Sequence, residues 1–269
     1  MFFVPLVVLS LSVSPLTMQA DKERYDREMI SSLEVRAKAG NSLAEEVLGE
    51  AYAHGRGRPQ DDEKAVYWYQ KAADKGMKES QYNLGDAYLH GRGVGVDYEK
   101  AAFWYRKAAE QGFAPAQCQI AVAYVSGAGV SQNYKRAAFW FDKSARQGDS
   151  SAQYYLGLLY TQGIGVPQND ETAVFWLQKA AHQKYRAAEY DLGNAYYDGK
   201  GVLRNGEKAM FWWQKSADQG FAAAQFRLGR AYYWGDVVAQ DQKVAQAWIK
   251  RAADQGYVAA IVWLQNAQH

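Results

Sequence analysis

The chain has 269 residues, and its 31 lysine and arginine residues nearly balance its 29 aspartate and glutamate residues, which leaves a formal net charge of +2. A charge so close to zero gives no electrostatic basis for binding nucleic acid or an anionic membrane surface. The length would allow one or two globular domains, but an unbroken internal repeat favours a single elongated one.

The first twenty residues carry no charged side chain, and the first charge is at Asp21. An apolar run that ends in a small residue, Ala20, predicts a signal peptide at 1–20. No Lys or Arg precedes the run, so an uncleaved membrane anchor stays open as the alternative, although Pro5 and Pro15 disfavour a spanning helix. After cleavage we expect a periplasmic or secreted protein with no stable membrane insertion.

Six units of 36 residues follow one another without insertion or deletion. A period of this length predicts a solenoid, in which each unit buries its apolar face against its neighbours. The sequence therefore predicts an N-terminal cap helix at 21–40, six repeats at 41–256 and a C-terminal capping half repeat at 257–269. Tryptophan marks the period most clearly, at Trp68, Trp104, Trp140, Trp176, Trp212 and Trp248.

Each unit is predicted to form two helices, helix A and helix B. In the first unit, apolar stripes with helical spacing place helix A at about 43–54 and helix B at about 62–75. Asp61 and Asp62 are candidates for the N-cap of helix B. A glycine recurs inside helix A although it costs about 1 kcal/mol relative to alanine, which predicts a close approach to a neighbouring helix. These glycines are Gly49, Gly85, Gly157, Gly193 and Gly229.

Glycine also marks the ends of the helices. Five units end in glycine, whereas one ends in Lys184, which costs stability if that position needs a positive φ. The loop between helices A and B contains Gly-x-Gly in five units, which predicts a sharp reversal of the chain. A phosphate-binding loop is the alternative interpretation at 91–96, but no strand precedes it and other units repeat the pattern.

The second unit, SQYNLGDAYLHGRGVGVDYEKAAFWYRKAAEQG at 80–112, resembles the Sel-one-like repeat family, a relative of the tetratricopeptide repeat. The resemblance covers about residues 34–269. It implies an all-α fold, a right-handed α/α superhelical solenoid of helix-turn-helix repeats, and a protein-binding or scaffolding role. Bacterial members are often exported, and the family has no catalytic residues to transfer. Its cysteine-rich members, sometimes described as acting on β-lactams, carry a disulfide in each repeat, which this chain lacks.

The sequence offers little chemistry for catalysis or metal binding. It contains no Ser-x-x-Lys, Gly-x-Ser-x-Gly or His-Glu-x-x-His motif. His54 and His90 are equivalent in adjacent units, but helices at ordinary spacing would hold them about 10 Å apart, too far for one metal ion. Cys118, the single cysteine, stands where other units mainly have tyrosine, which favours packing over a reactive thiol. We predict no catalytic residue, no cofactor and no metal.

Helix A offers the candidate binding surface, because this helix normally lines the concave side of a solenoid of helix pairs. Positions seven, ten and fourteen of the repeat vary between units, and spacings of three and four place them on one helical face. Along the array this face is acidic, then apolar, then basic, which predicts a groove for a partner. The alternative is that these positions vary because nothing constrains them. The predicted groove residues are Glu50, Asn83, Asp86, Gln119, Val122, Tyr155, Leu158, Asp191, Asn194, Arg227 and Arg230.

The sequence thus predicts an exported bacterial scaffold, non-enzymatic, that binds a partner protein or peptide in this groove. One alternative is an envelope-acting enzyme, or an accessory subunit, that acts on cell-wall material. Another is a stabilising subunit of a larger envelope complex. In the terminal half repeat, Ile261, Trp263 and Leu264 stand where the outer face of a solenoid is normally polar. We expect Trp263 to be exposed there and to promote end-to-end self-association.

Overall fold

A computed structural model describes residues 28–266, which form α-helices and no strands. The predicted signal peptide at 1–20, the start of the predicted cap helix and residues 267–269 lie outside this range. The chain consists of two compact units, of which the first ends at Ala108 and the second begins at Ala109. The predicted all-α solenoid of helix-turn-helix repeats is confirmed.

The first unit contains a helix at 28–38, α1, followed by the helix pairs of the first two repeats. These helices are α2 (Ser42–His54), α3 (Asp62–Asp74), α4 (Lys78–His90) and α5 (Tyr98–Glu110), the last of which extends just beyond Ala108. The predicted helices of the first repeat differ from the structure by one residue, at the start of helix A and at the end of helix B.

The second unit contains the helix pairs of the remaining four repeats and one terminal helix. Helix A of each repeat is followed by helix B of the same repeat. The helices are α6 (Ala114–Ser126), α7 (Tyr134–Arg146), α8 (Ser150–Gln162), α9 (Asp170–His182), α10 (Arg186–Asp198), α11 (Gly206–Asp218), α12 (Ala222–Trp234), α13 (Gln242–Asp254) and α14 (Val258–Asn266).

Local caps fix where each pair of helices begins and ends. Asp61 is the N-cap of α3, and its Oδ1 accepts a hydrogen bond from the Lys64 backbone N–H at 3.0 Å. Asp62, the other candidate, is instead the first residue of that helix. Helix α2 ends at Gly55, whose φ of 66° lies in the left-handed region that glycine adopts without strain. Equivalent caps recur along the chain, so the bounds of the helices repeat with the sequence.

The glycine inside helix A allows helix B of the same repeat to approach closely. A Cβ atom on Gly49 would lie 2.6 Å from Tyr69 Cδ1 on α3, and one on Gly193 would lie 2.5 Å from Trp213 Nε1 on α11. The predicted close approach is confirmed, and the neighbour is the second helix of the same repeat. A fully buried leucine or isoleucine precedes this position in every repeat and forms the centre of the core. These core residues are Leu48, Leu84, Ile120, Leu156, Leu192 and Leu228.

Lys184 has a φ of 64° and is the one non-glycine residue with a positive φ among residues 28–266. The predicted strain at this position is therefore present, because an L-residue with a side chain rarely adopts the left-handed region.

A hydrogen-bonded side-chain pair recurs where one repeat meets the next. Gln153 donates from Nε2 to the Ala145 carbonyl at 3.0 Å, and its Oε1 accepts from Gln183 Nε2 at 2.8 Å. The equivalent residue one repeat later is Glu189, which accepts from Gln219 Nε2 at 2.6 Å. Glu189 is almost fully buried, and burial raises the pKa of its carboxyl. A carboxylate cannot supply the donor that glutamine provides at this position.

Candidate binding surface

The described residues contain no arrangement that points to metal chemistry. Across 28–266, no three His, Cys, Asp or Glu side chains lie close enough together to hold a metal ion. Cys118 is buried, and burial together with the nearby Asp149 raises the pKa of its thiol to about 12. A thiol with such a pKa stays protonated near neutral pH and is a poor nucleophile. Membrane-spanning helices, which must be both long and apolar, do not occur in the described range.

In the first unit, helix A presents the acidic part of the predicted groove. Glu50, Asn83 and Asp86 are partly buried on α2 and α4. The Asp86 carboxylate accepts hydrogen bonds from Tyr105 Oη at 2.8 Å and from Arg92 Nη2 at 2.7 Å. Asn83 and Asp86 line a cleft of about 430 Å³, together with His54, Tyr69 and Arg92. Because Arg92 neutralises Asp86, this cleft is polar rather than strongly acidic.

The second unit carries the apolar part of the predicted groove on α6 and α8. Val122 and Tyr155 are exposed, with 36% and 38% of their surfaces accessible, whereas Gln119 and Leu158 are partly buried. Tyr155 stacks on Phe141 of α7 with ring centroids 5.3 Å apart and an interplanar angle of 25°. Phe141 therefore holds the Tyr155 ring in place by contacting one of its faces, and the rest of the ring remains accessible to a partner.

Leu158 shares a cleft of about 210 Å³ with Asp191 and Asn194 of α10. The Asp191 carboxylate accepts hydrogen bonds from the side chains of Tyr154 and Asn194, and burial raises the pKa of Asp191 to about 6. Asn194 Oδ1 also accepts a hydrogen bond from Trp213 Nε1 at 3.1 Å. Asp191 and Asn194 therefore line the cleft, and each forms a hydrogen bond with another side chain of the protein.

Arg227 and Arg230 of α12 lie among aromatic side chains. The Arg227 guanidinium lies 4.6 Å from the centroid of the Tyr197 ring and 4.9 Å from that of Trp213. Both arginines line a small pocket of about 70 Å³ with Tyr197, Trp213, Trp234 and Asp236. Cation–π contact is favourable at such distances, so the aromatic rings hold the guanidinium groups in place.

The structure thus brings the predicted groove residues of the second unit together in pairs. Leu158 and the Asp191–Asn194 pair share one cleft, and Arg227 and Arg230 share another pocket. Gln119 and Val122 lie on α6, one repeat before Tyr155. Within this unit, the surface formed by helix A changes from apolar on α6 and α8 to basic on α12. The residue types alone predict this order.

Two features of the structure were missed by the sequence reasoning. The first is the aromatic surroundings of the arginines, because Tyr197 and Trp213 belong to the repeat before Arg227. The second is a set of exposed aromatic residues on helix B, each one position before the periodic tryptophan. The sequence contained a signal for the second feature, because these aromatic residues recur with the same 36-residue period. These residues are Tyr67, Phe103, Phe139, Phe175 and Phe211.

The prediction for Trp263 is wrong. Its side chain is partly buried, and its ring lies 5.1 Å from that of Tyr233 and 5.8 Å from that of Trp234. Aromatic contacts of this kind cover the ring, because edge-to-face packing is favourable at these separations. The exposed apolar side chains of the terminal helix are instead Val258 and Val262. Self-association through the C-terminal end stays a prediction.

Comparison with known proteins identifies the repeat. The Sel1 repeat matches six consecutive segments of 36 residues, which together cover 42–257. The segments are 42–77, 78–113, 114–149, 150–185, 186–221 and 222–257. No curated protein matches this chain.

Two of the similar solved structures are at least 30% identical to this chain and cover most of it. One is a protective antigen present in uropathogenic Escherichia coli strains that displays the same repeat fold, with 38% identity, a TM-score of 0.79 and 85% of this chain covered. The chain spans about half of that protein, 49% of its length. The other is a Sel1 repeat protein from Oxalobacter formigenes, with 30% identity, a TM-score of 0.77, and coverage of 87% of this chain and 94% of the other.

Proposed function

The chain belongs to the Sel1 repeat family. We propose that it is an exported, non-enzymatic scaffold that binds a partner protein or peptide on the surface formed by helix A of its repeats. Sel1 repeats generally mediate protein interactions. The observation that carries the proposal is the surface of α8, where Tyr155 is exposed and Leu158 opens into a cleft while the intervening Leu156 is fully buried. The buried residues of this helix hold the fold together, so the accessible ones are free for recognition.

The polarity of this surface suits a peptide or protein better than a small apolar ligand. The cleft beside Leu158 is lined by Val174 and Leu177 on one side and by Asp191 and Asn194 on the other. An apolar anchor beside fixed hydrogen-bonding groups is the usual arrangement at the centre of a protein interface. We therefore expect the partner to insert an apolar side chain beside Leu158.

Export is the second part of the proposal, and it rests on the uncharged segment at 1–20. The similar Escherichia coli protein is a protective antigen, which is compatible with export. N-terminal sequencing of the protein recovered from the periplasm or the medium tests this part. A new N-terminus after Ala20 supports export, whereas recovery of the intact chain only from the cytoplasm contradicts it.

Affinity capture with the full chain as bait tests the binding surface. The test variant combines Tyr155→Ala and Leu158→Ala, and the matched control combines Phe175→Ala and Leu203→Ala, which remove an aromatic residue and a leucine that are 49% and 91% exposed elsewhere in the same unit. We expect the wild type and the control to capture the same partner and the test variant to bind it at least tenfold more weakly. Circular dichroism should show unchanged helicity for both variants.

A partner that binds both double variants equally well would contradict the assignment of the surface. Hydrolysis of cell-wall material by the purified chain would contradict the proposal of a non-enzymatic scaffold.

A further inference from the structure

We propose that Arg227 and Arg230 form a carboxylate-binding site for the partner peptide, an inference that rests on the proposed binding function. The first observation is an unmet hydrogen-bonding capacity. The Nε atoms of both arginines are buried and have no hydrogen-bond partner. A buried donor without an acceptor is unfavourable, so a ligand that supplies an acceptor upon binding relieves this penalty.

The second observation is that neither guanidinium is paired with an acid within the described residues. The ion pairs there join other residues, and Arg58, whose Nε also has no partner, shows the contrast because its Nη2 contacts Glu34 at 2.8 Å. Arg227 and Arg230 instead contact aromatic rings, which attract the cation but accept no hydrogen bond in the guanidinium plane. The described residues therefore leave part of the hydrogen-bonding capacity of both guanidinium groups unused.

The third observation is that the guanidinium groups are held in position before any ligand arrives. Arg227 contacts two neighbouring rings, with 4.6 Å and 4.9 Å from its Cζ to the centroids of Tyr197 and Trp213. Arg230 follows three residues later on α12, with the Phe226 and Trp263 rings each 6.0 Å away. An arginine that ring contacts hold in place loses less conformational freedom when it forms a bidentate pair with a carboxylate.

The charge of the pocket favours a carboxylate over a doubly charged phosphate group. Asp236 also lines the pocket, where its carboxylate accepts a hydrogen bond from Tyr197 Oη. Two arginines and one aspartate leave a single positive charge, which one carboxylate balances. Trp234, which is 58% exposed at the edge of the pocket, provides an apolar surface for the methylene groups of an acidic side chain. The carboxylate belongs either to an Asp or Glu side chain or to the C-terminus of the peptide.

Nuclear magnetic resonance of the arginine Nε–H groups tests the site directly in the full chain. Three short acetylated glycine-rich peptides serve as probes: one with a glutamate and an amidated C-terminus, one with glutamine and a free C-terminus, and one with glutamine and an amidated C-terminus. We expect saturable shifts of the Arg227 and Arg230 signals with the carboxylate probes and none with the neutral probe. The stronger of the two carboxylate probes identifies the source of the carboxylate.

Lysine substitutions separate the fork geometry of arginine from its charge. We expect Arg227→Lys and Arg230→Lys each to weaken binding of the better probe about tenfold, because an ammonium group cannot form the bidentate pair. Arg251→Lys is the matched control, since Arg251 also lies over a tryptophan ring, 4.6 Å from Trp248, but on α13 outside the pocket. This control should leave binding unchanged.

Equal shifts with all three probes, no shifts with any of them, or stronger binding of inorganic phosphate would overturn the carboxylate assignment. The captured partner then distinguishes this inference from the proposed function. A partner that is lost with Tyr155→Ala and Leu158→Ala but binds Arg227→Lys normally contradicts the carboxylate site alone. A partner unaffected by all of these substitutions contradicts both.

Discussion

Replacing Gly193 by alanine should destabilise the protein, whereas the same replacement at the equivalent Gly157 should not. Both glycines lie inside helix A of their repeats, on α10 and α8. They differ in what faces them across the repeat. A Cβ atom on Gly193 would lie 2.5 Å from Trp213 Nε1, whereas the nearest atom to a Cβ on Gly157 is Leu177 Cγ at 3.1 Å.

The magnitude follows from two opposing terms. Alanine is favoured over glycine inside a helix by about 1 kcal/mol, and this gain is available at both positions. At Gly193, Trp213 is 1% exposed and its Nε1 donates to Asn194, so moving the indole costs about 1–3 kcal/mol of overpacking and weakens a hydrogen bond of about 1 kcal/mol. We expect a net loss of about 2 kcal/mol for Gly193→Ala. At Gly157, the flexible Leu177 can move by a few tenths of an ångström, but the Ala173 carbonyl oxygen at 3.2 Å belongs to the backbone and moves less easily. The close contact therefore offsets most of the helical gain and leaves a change near zero.

Urea denaturation followed by circular dichroism measures the difference, with the two variants and the wild type compared under identical conditions. The Trp213 indole N–H signal in a nuclear magnetic resonance spectrum provides a local check, since it should shift in Gly193→Ala and not in Gly157→Ala. Repeat three already has Ala121 at this position, fully buried, so an added methyl group is compatible with the fold. Equal stability of the two variants would refute the argument that Trp213 sets the cost.

Three further substitutions have expected outcomes in thermal or chemical denaturation. Lys184→Gly should stabilise the protein by about 1 kcal/mol, because it relieves a φ of 64°, and an unchanged midpoint would contradict this. Glu189→Gln should stabilise it by about 1 kcal/mol near neutral pH, since glutamine can accept from Gln219 without a buried charge; a loss of stability would contradict this. For Asp191, burial raises the pKa from 3.8 to about 6, so the folded state binds its proton more tightly and stability falls as pH rises through that window. Asp191→Asn should remove this decrease in stability, which is at most about 3 kcal/mol. In denaturation experiments at pH values from about 4 to 7, the stability of the wild type should approach that of the variant only at the acidic end.

The fold was predictable because the sequence marks it at regular intervals. The 36-residue period located every helix pair, and the end of helix A at His54 was predicted correctly because Gly55 can adopt the left-handed region that ends a helix. The ends of helix B were less certain, since Lys75 continues a polar helical pattern without a residue that forces a stop. The errors are confined to one residue at such positions.

The binding surface was less predictable, because a column of equivalent residues does not show what each member touches. Asp191 and Arg227 occupy the same position in adjacent repeats, yet one turns towards Tyr154 and the other lies over Tyr197. These contacts depend on the side chains of the preceding repeat, which the helical face of a single repeat does not contain. Trp263 was predicted to be exposed for the same reason, since its covering residues lie one repeat earlier.

The exposed aromatic residues of helix B illustrate a different limit. Phe139, Trp140 and Phe141 are consecutive, and an α-helix turns by about 100° per residue, so three adjacent large side chains cannot all face one neighbour. Phe141 is buried and Phe139 is 53% exposed. The sequence shows that one of the three has to face the solvent, but the choice depends on how helix B packs against helix A.

The two features of the second unit together restrict what a partner can be. The apolar anchor at Tyr155 and Leu158 belongs to the fourth repeat and the arginine pocket to the sixth. First helices of successive repeats at a spacing of about 10 Å would separate the two by about 20 Å, a distance that about six residues of extended peptide cover. We therefore expect the proposed partner peptide to carry an apolar residue and a carboxylate about six positions apart and to bind in one orientation only. Because the buried leucines and glycines are shared by nearly all repeats, the scaffold sets this spacing, and we propose that the few side chains that differ between repeats select the partner.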